Sequence, residues 1–348
     1  MAYDSQKLLT PGDLLDEKGQ LAQCGYATSL VRSYDRKAIK ACGLRIKEWD
    51  YYCITGKECV LCLTIADNSY MKLDSVTLLF PDRCTQIQKS MMGLLSLGKV
   101  KLPATSAVGD VKVEGDGYTL FFANDGTKRV LDVHIEDFNA GRPLTAHVEL
   151  TDEPKDSMVI ATPFAGHPRH FYYNQKINCL RAKGDVSFGG ESYTFDPATD
   201  LAVLDWGRGV WTYANTWYWG SLSTVLPDGR TLGLNLGYGF GDTTAATENM
   251  LFVDGIAHKL EHVLFEIPKN TSGNDDFMKP WRIRDNHGRL DLRFEPAIDR
   301  ADRTSVLVIE SDQHQVFGYM TGKVVTDEGE EIRIERALGF AEKVKNRW

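Results

Sequence analysis

The chain has 348 residues, of which 43% are hydrophobic and 25% charged, so it can bury a large core and is neither a small stapled scaffold nor a disordered segment. Forty basic residues against forty-eight acidic ones give a net charge of -8. That balance excludes a nucleic-acid partner held by bulk charge.

From the N-terminus, the stretch MAYDSQKLLTPGDLLDEK carries Asp4, Asp13, Asp16 and Glu17 where an export signal would need a positive start and an apolar run. The cytoplasm is the expected home. Seven cysteines, an odd number, read as reduced thiols rather than as a disulfide framework. Within the first half, Asp67 and Tyr70 in TIADNSY are polar groups set in an apolar stretch, whereas Lys40, Arg45 and Lys47 read as solvated positions. Cys59 and Cys62 have C-x-x-C spacing, yet ECVLCLTIAD reads as a strand, which sends the two thiols to opposite faces. A helical period is expected only at residues 86–97, where Ile87, Met91, Leu94 and Leu95 recur on one side.

Elsewhere the punctuation is that of hairpins. Asp125-Gly126, Gly189-Gly190, Asp228-Gly229, Asp254-Gly255, His287-Gly288 and Glu328-Gly329 each separate β-type segments. Alternation is explicit in residues 130–135, where Leu131, Val133 and Ile135 are apolar, so one face is buried and one is wet. Crossover helices for a parallel sheet are missing. Pro154, Pro163 and Pro168 suggest a divide near 155–168, giving an N-terminal unit 1–160 and a C-terminal unit 161–348. The uncharged run 209–227 is interrupted by Thr212, Asn215, Thr216, Ser221, Ser223 and Thr224, which disfavours a transmembrane segment.

The densest information lies at residues 205–241. Four of the seven tryptophans, Trp206, Trp211, Trp217 and Trp219, fall in this region, followed across Asp228-Gly229 by GLNLGYGFG. With an even-length turn, Trp219 is expected opposite Tyr238 and Trp217 opposite Phe240. That would leave Tyr218 and Gly220 facing glycines over a nearly bare face. Such a glycine face either makes room for core side chains or opens a pocket for a flat apolar ligand inside a barrel.

The run DWGRGVWTYANTWYWGS, with GLNLGYGFGD, TENMLFVDG, HKLEHVLFEIP, RIKEWDYY, FYYNQKINC, QHQVFG and GFAEKVKNRW, resembles a bacterial domain-of-unknown-function family related to AttH-like and carotenoid-hydratase-like proteins. The resemblance implies an all-β fold of two antiparallel lipocalin-like barrels packed together, with few short helices. It also implies relatives that hydrate carotenoids, catalyse cyclisations or carry lipids. It transfers no catalytic residue.

His258-Lys259-Leu260-Glu261-His262 matches H-x-x-E-H but reads as a strand rather than the helix that metal ligation needs, so no metal is expected. Gly237, Gly239 and Gly241 are not a dinucleotide fingerprint, and no cofactor is expected. A carboxyl in an apolar pocket has its pKa raised and can deliver a proton, and aromatic faces stabilise a nearby cation. The proton-donor candidates are therefore Asp205, Tyr218 and Glu248. Candidate ligand contacts are Arg208, Trp211, Trp217, Trp219, Asn235 and Tyr238. The expected partner is an apolar small molecule, lipid or isoprenoid-like, bound or chemically transformed. An Asp205–Arg208 ion pair of purely architectural role and filled barrels that use an outer surface for a protein partner are the alternatives.

Overall fold

The computed structural model describes residues 6–306 and 309–348; Asp4 of the N-terminal stretch lies outside them. The described chain is all-β, with three single-turn 3-10 segments as its helical content. Almost every residue lies in or between antiparallel strands, and the alternation that predicts them is visible in burial. In Arg129–Asn139 the side chains of Leu131, Val133 and Ile135 are buried and those between them are not.

Among the described residues, thirteen strands form the first sheet. Its central order is Thr85–Leu94, Met71–Phe80, Val60–Asp67, Ile46–Thr55, Leu201–Val210, His167–Phe188 and Arg142–Thr151, continuing through three further hairpin strands. Nine strands form the second, with Thr231–Tyr238, Ala214–Val225, Glu331–Arg347, Ile309–Val325 and Leu290–Val306 at its middle. Each sheet curls around its own cluster of buried apolar side chains. A third apolar cluster joins the outer face of the first sheet, through Tyr51, Cys53 and Val203, to Trp219, Phe317 and Phe340 of the second.

Three expectations are corrected here. Residues 86–97 are not helical: Thr85–Leu94 is a strand, in which Ile87 and Met91 pack toward the core while Leu94 and Leu95 stay exposed. A spacing of four satisfies both periods, so that pair could not discriminate between them. The sheets do not part at 155–168 either, because His167–Phe188 and Leu201–Val210 belong to the first sheet and the chain crosses at residues 211–213. Pro163 sits in Met158–Phe164 beyond the residues that Gly25–Ala27 pairs, where its missing N–H costs no ladder bond. The third correction concerns the aromatic hairpin. Its loop is three residues long, closed by Leu226 N to Arg230 O at 2.7 Å, and an odd count moves the register by one. Tyr218 therefore pairs with Tyr238, Trp219 with Gly237 and Ser221 with Asn235. The tryptophans share their face with the glycines, and that face turns toward the first sheet.

Candidate functional site

A cavity of about 450 Å³ lies between the two sheets rather than inside either curl. Its walls come from the outer face of the first sheet (Trp49, Tyr172, Lys176, Asp205) and from the second sheet and its loops (Trp217, Trp219, Phe240, Glu248, Glu342). Its location follows from local sequence. Two close approaches are possible only because glycine carries no side chain. A Cβ on Gly207 would lie 1.9 Å from Trp49 Cζ2, and one on Gly237 would lie 2.5 Å from the Glu248 carboxyl carbon. Trp49 can thus lie on one strand, and Glu248 can reach over another.

The apolar wall is a set of edge-to-face rings. Trp211 packs against Trp49 at 5.3 Å, Trp217 at 5.6 Å and Phe240 at 4.8 Å between ring centres. Two tryptophans are oriented by hydrogen bonds: Trp219 Nε1 donates to Asn235 Oδ1 at 2.8 Å, and Trp217 Nε1 donates to Glu342 Oε1 at 2.8 Å.

At the polar end, Lys176 Nζ donates to Tyr172 Oη at 3.0 Å, Asn174 Oδ1 at 3.1 Å and Glu248 Oε2 at 3.2 Å. It lies 3.8 Å from Asp205 Oδ1 and 4.5 Å from the Trp219 ring centre. Lys176 and Asp205 are direct cross-strand partners, so the pair is built by register. Asn174 Nδ2 donates to Asp205 Oδ1 at 2.6 Å. Burial, and then the nearby Glu248 and Asp205 carboxylates, push the Tyr172 hydroxyl well above its ordinary value. Glu342 is 4% exposed, and burial raises its carboxyl to about 7 against the pull of the Trp217 N–H and of Lys176. Its second oxygen accepts from Gln315 Nε2 at 3.1 Å, and Gln315 Oε1 in turn accepts from Arg300 Nη1 at 2.7 Å. The arrangement places a carboxyl that is half protonated near neutrality beside a lysine, two further carboxylates and a wall of π faces.

Of the residues read from sequence, Asp205, Glu248, Trp211, Trp217 and Trp219 come together on this cavity. Asn235 stands one layer behind it, holding Trp219 through its oxygen and the Glu248 carbonyl through Nδ2 at 2.7 Å. Tyr218 and Tyr238 do not reach it: they stack on each other at 4.4 Å and pack on the interior of the second sheet. Arg208 is fully buried on the interior of the first sheet. It bonds Asp50 at 3.0 Å and the carbonyls of Trp49, Gly207 and Pro103, so the Asp205–Arg208 pair is replaced by Asp205–Lys176 and Arg208–Asp50. Tyr70 lines the cavity. Asp67 anchors a loop instead, accepting from Ser69 N at 2.9 Å and Ser96 Oγ at 2.7 Å. Lys47 is not solvated: it is 1% exposed, its Nζ sits 4.0 Å from the Tyr70 ring centre, and burial lowers it to about 7.

In the H-x-x-E-H segment, His258 ends on Asp327 and Glu261 on His287, and no metal-binding cluster occurs among the described residues. Cys59 joins the first core and Cys62 the intersheet cluster. Among the described residues no helix is long and apolar enough to cross a membrane.

Sequence reasoning missed Glu342 and Lys176. Lys176 is the single charge in FYYNQKINCL, residues 171–180, and that was the available signal; Glu342 adjoins Lys343 in a charge-rich strand and carried none.

The chain belongs to the family described as Domain of unknown function (DUF2804), which it matches over residues 5–348. Among solved structures it is similar to a putative AttH of Nitrosomonas europaea. The identity is 14%, covering 86% of this chain and 92% of that one, with a TM-score of 0.54, a likeness of fold that fits two lipocalin-like half-barrels. It also aligns with kievitone hydratase of Nectria haematococca at 12% identity, covering 92% and 97% of the two chains, with a TM-score of 0.45. No curated protein sequence matches it.

Proposed function

We propose that this protein binds an apolar small molecule of lipid or isoprenoid type in the cavity between its sheets. The observation that carries this reading is an aromatic-walled space of about 450 Å³ between the two apolar clusters, a size in the ordinary range of small-molecule sites. Fluorescence titration tests it: an isoprenoid alcohol should quench the cavity tryptophans saturably, and Trp217→Phe should lower both the quench and the affinity. No saturable quench across lipids and isoprenoids would overturn it.

One observation favours a chemical step on the bound ligand, namely that the Glu342 carboxyl is buried against the tryptophan wall, where Trp217 Nε1 donates to it at 2.8 Å and burial raises it to about 7. In this reading Glu342 delivers its proton to one carbon of an alkene, and the π pair becomes the new C–H bond. The cation left on the neighbouring carbon is stabilised by the ring faces. Water adds to that carbon, and its surplus proton returns through Asp205 or Glu248 to Glu342, so the net change is alkene plus water to alcohol. Glu342→Gln should abolish turnover and leave binding within about threefold, since the amide keeps shape but has no acidic proton. Full turnover by a folded Glu342→Gln protein would eliminate the step.

A further inference from the structure

The mouth of the cavity carries an exposed apolar lip. Met92 is 72% exposed, Leu94 87%, Leu95 56% and Leu97 48%, four large apolar side chains within six residues. The lip is continuous with the cavity. Met92 is itself a wall residue, its cross-strand partner Leu73 is another, and Leu94 pairs with Met71, a third.

The lip is held rather than loose. Leu95 N donates to Tyr70 O at 2.8 Å and Leu97 N to Ser69 O at 2.9 Å. Between them Ser96 is buried and donates to the Asp67 carboxylate, whose other oxygen accepts from Val100 N at 3.3 Å. This bolt keeps Leu95 at φ +54 and Leu97 at φ +50, left-handed backbone that branched L side chains rarely adopt. Strain maintained to point leucines at solvent signals a use for them there.

Charge says what that use is. Between Asp82 and Asp110 the sequence holds no acidic residue and four basic ones; Arg83 and Lys89 pair with Glu191 at 4.0 Å and Asp137 at 3.5 Å, and Lys99 and Lys101 are the cations beside the leucines. Lys99 and Lys101 are exposed immediately beyond the leucines. Exposed leucines followed directly by exposed lysines suit an anionic bilayer, which offers acyl chains to the first and phosphates to the second.

We propose that Met92, Leu94, Leu95 and Leu97 dip into an anionic lipid surface, with Lys99 and Lys101 on its headgroups, so that the cavity opens toward the membrane. The lip gives an apolar ligand a path that avoids water.

Co-sedimentation of the full chain with vesicles tests this without any cavity ligand. The wild type should partition onto phosphatidylcholine vesicles containing phosphatidylglycerol and more weakly onto phosphatidylcholine alone. The Leu94→Glu/Leu97→Glu double variant should bind about tenfold more weakly. Lys99→Gln/Lys101→Gln should remove the preference for the anionic vesicles. Both side chains changed in the first variant are exposed, so unchanged melting and unchanged isoprenoid quenching verify its fold and keep this test separate from that of the cavity. The proposal is overturned if the wild type fails to sediment with either vesicle, or if the double variant sediments equally well. It is also overturned if the wild type is a dimer that Leu94→Glu/Leu97→Glu dissolves while vesicles go unbound, because the lip then serves a second copy.

Discussion

Replacing Glu342 by glutamine separates a buried acid from a merely buried polar group. In the native protein burial raises this carboxyl from an ordinary 4.5 to about 7, so the fold prefers its neutral form. At about 1.4 kcal/mol per pH unit, that preference corresponds to about 3 kcal/mol. Its sign follows from linkage: the stability is present below pH 4.5, where the group is protonated folded or unfolded. It is lost as pH rises to about 7, and above that the native state must hold a buried carboxylate. Most of that loss falls between pH 5 and 8. Glutamine does not titrate. It keeps an oxygen for Trp217 Nε1 but turns an amide toward Gln315 Nε2, a pH-independent cost of about 1 kcal/mol. Urea unfolding should therefore find Glu342→Gln close to wild type in stability at pH 5 and more stable by about 2 kcal/mol at pH 8. All other titrations cancel in the comparison. A stability difference that stays constant across this range would refute the assignment of a raised pKa to Glu342.

Further expectations concern the walls. Gly237→Ala places a methyl 2.5 Å from the Glu248 carboxyl and should detach it from Lys176, costing about 1–3 kcal/mol in melting and weakening ligand binding in calorimetry. Tyr218→Phe should leave the quench of an isoprenoid titration unchanged, because its ring stacks on Tyr238 away from the cavity; a tenfold loss would return Tyr218 to the site. Arg208→Met removes the partner of Asp50 and should destabilise by about 3–5 kcal/mol in urea, while ligand affinity in the folded fraction is unaffected.

Much of the fold is legible in the sequence, because period-two alternation and glycine turns are local signals. The strand Thr85–Leu94 was concealed by an apolar spacing common to helix and strand. Where the sheets part was concealed because pairing of Ile46–Thr55 with Leu201–Val210 is a long-range choice that no local composition encodes. The aromatic hairpin shows how much one residue matters. Its strands and their faces could be read directly, but turn parity decided which residues oppose which, and a three-residue loop put Trp219 beside Gly237. The site was half legible for the same reason. Asp205, Glu248 and three tryptophans stand out by type, whereas Glu342 and Lys176 acquire their roles only when two sheets meet and take them out of water. Arg208, three residues after Asp205, faces the other side of its strand and serves the first core.

In the proposed function the space between the sheets, and not a barrel interior, receives the ligand. A crystal structure of the protein soaked with farnesol, a fifteen-carbon isoprenoid alcohol, addresses it directly. Difference density is expected between Trp49, Trp217 and Glu342, with the hydroxyl toward Lys176. Density within either curled sheet, or an empty intersheet space in a crystal that holds the alcohol elsewhere, would contradict it.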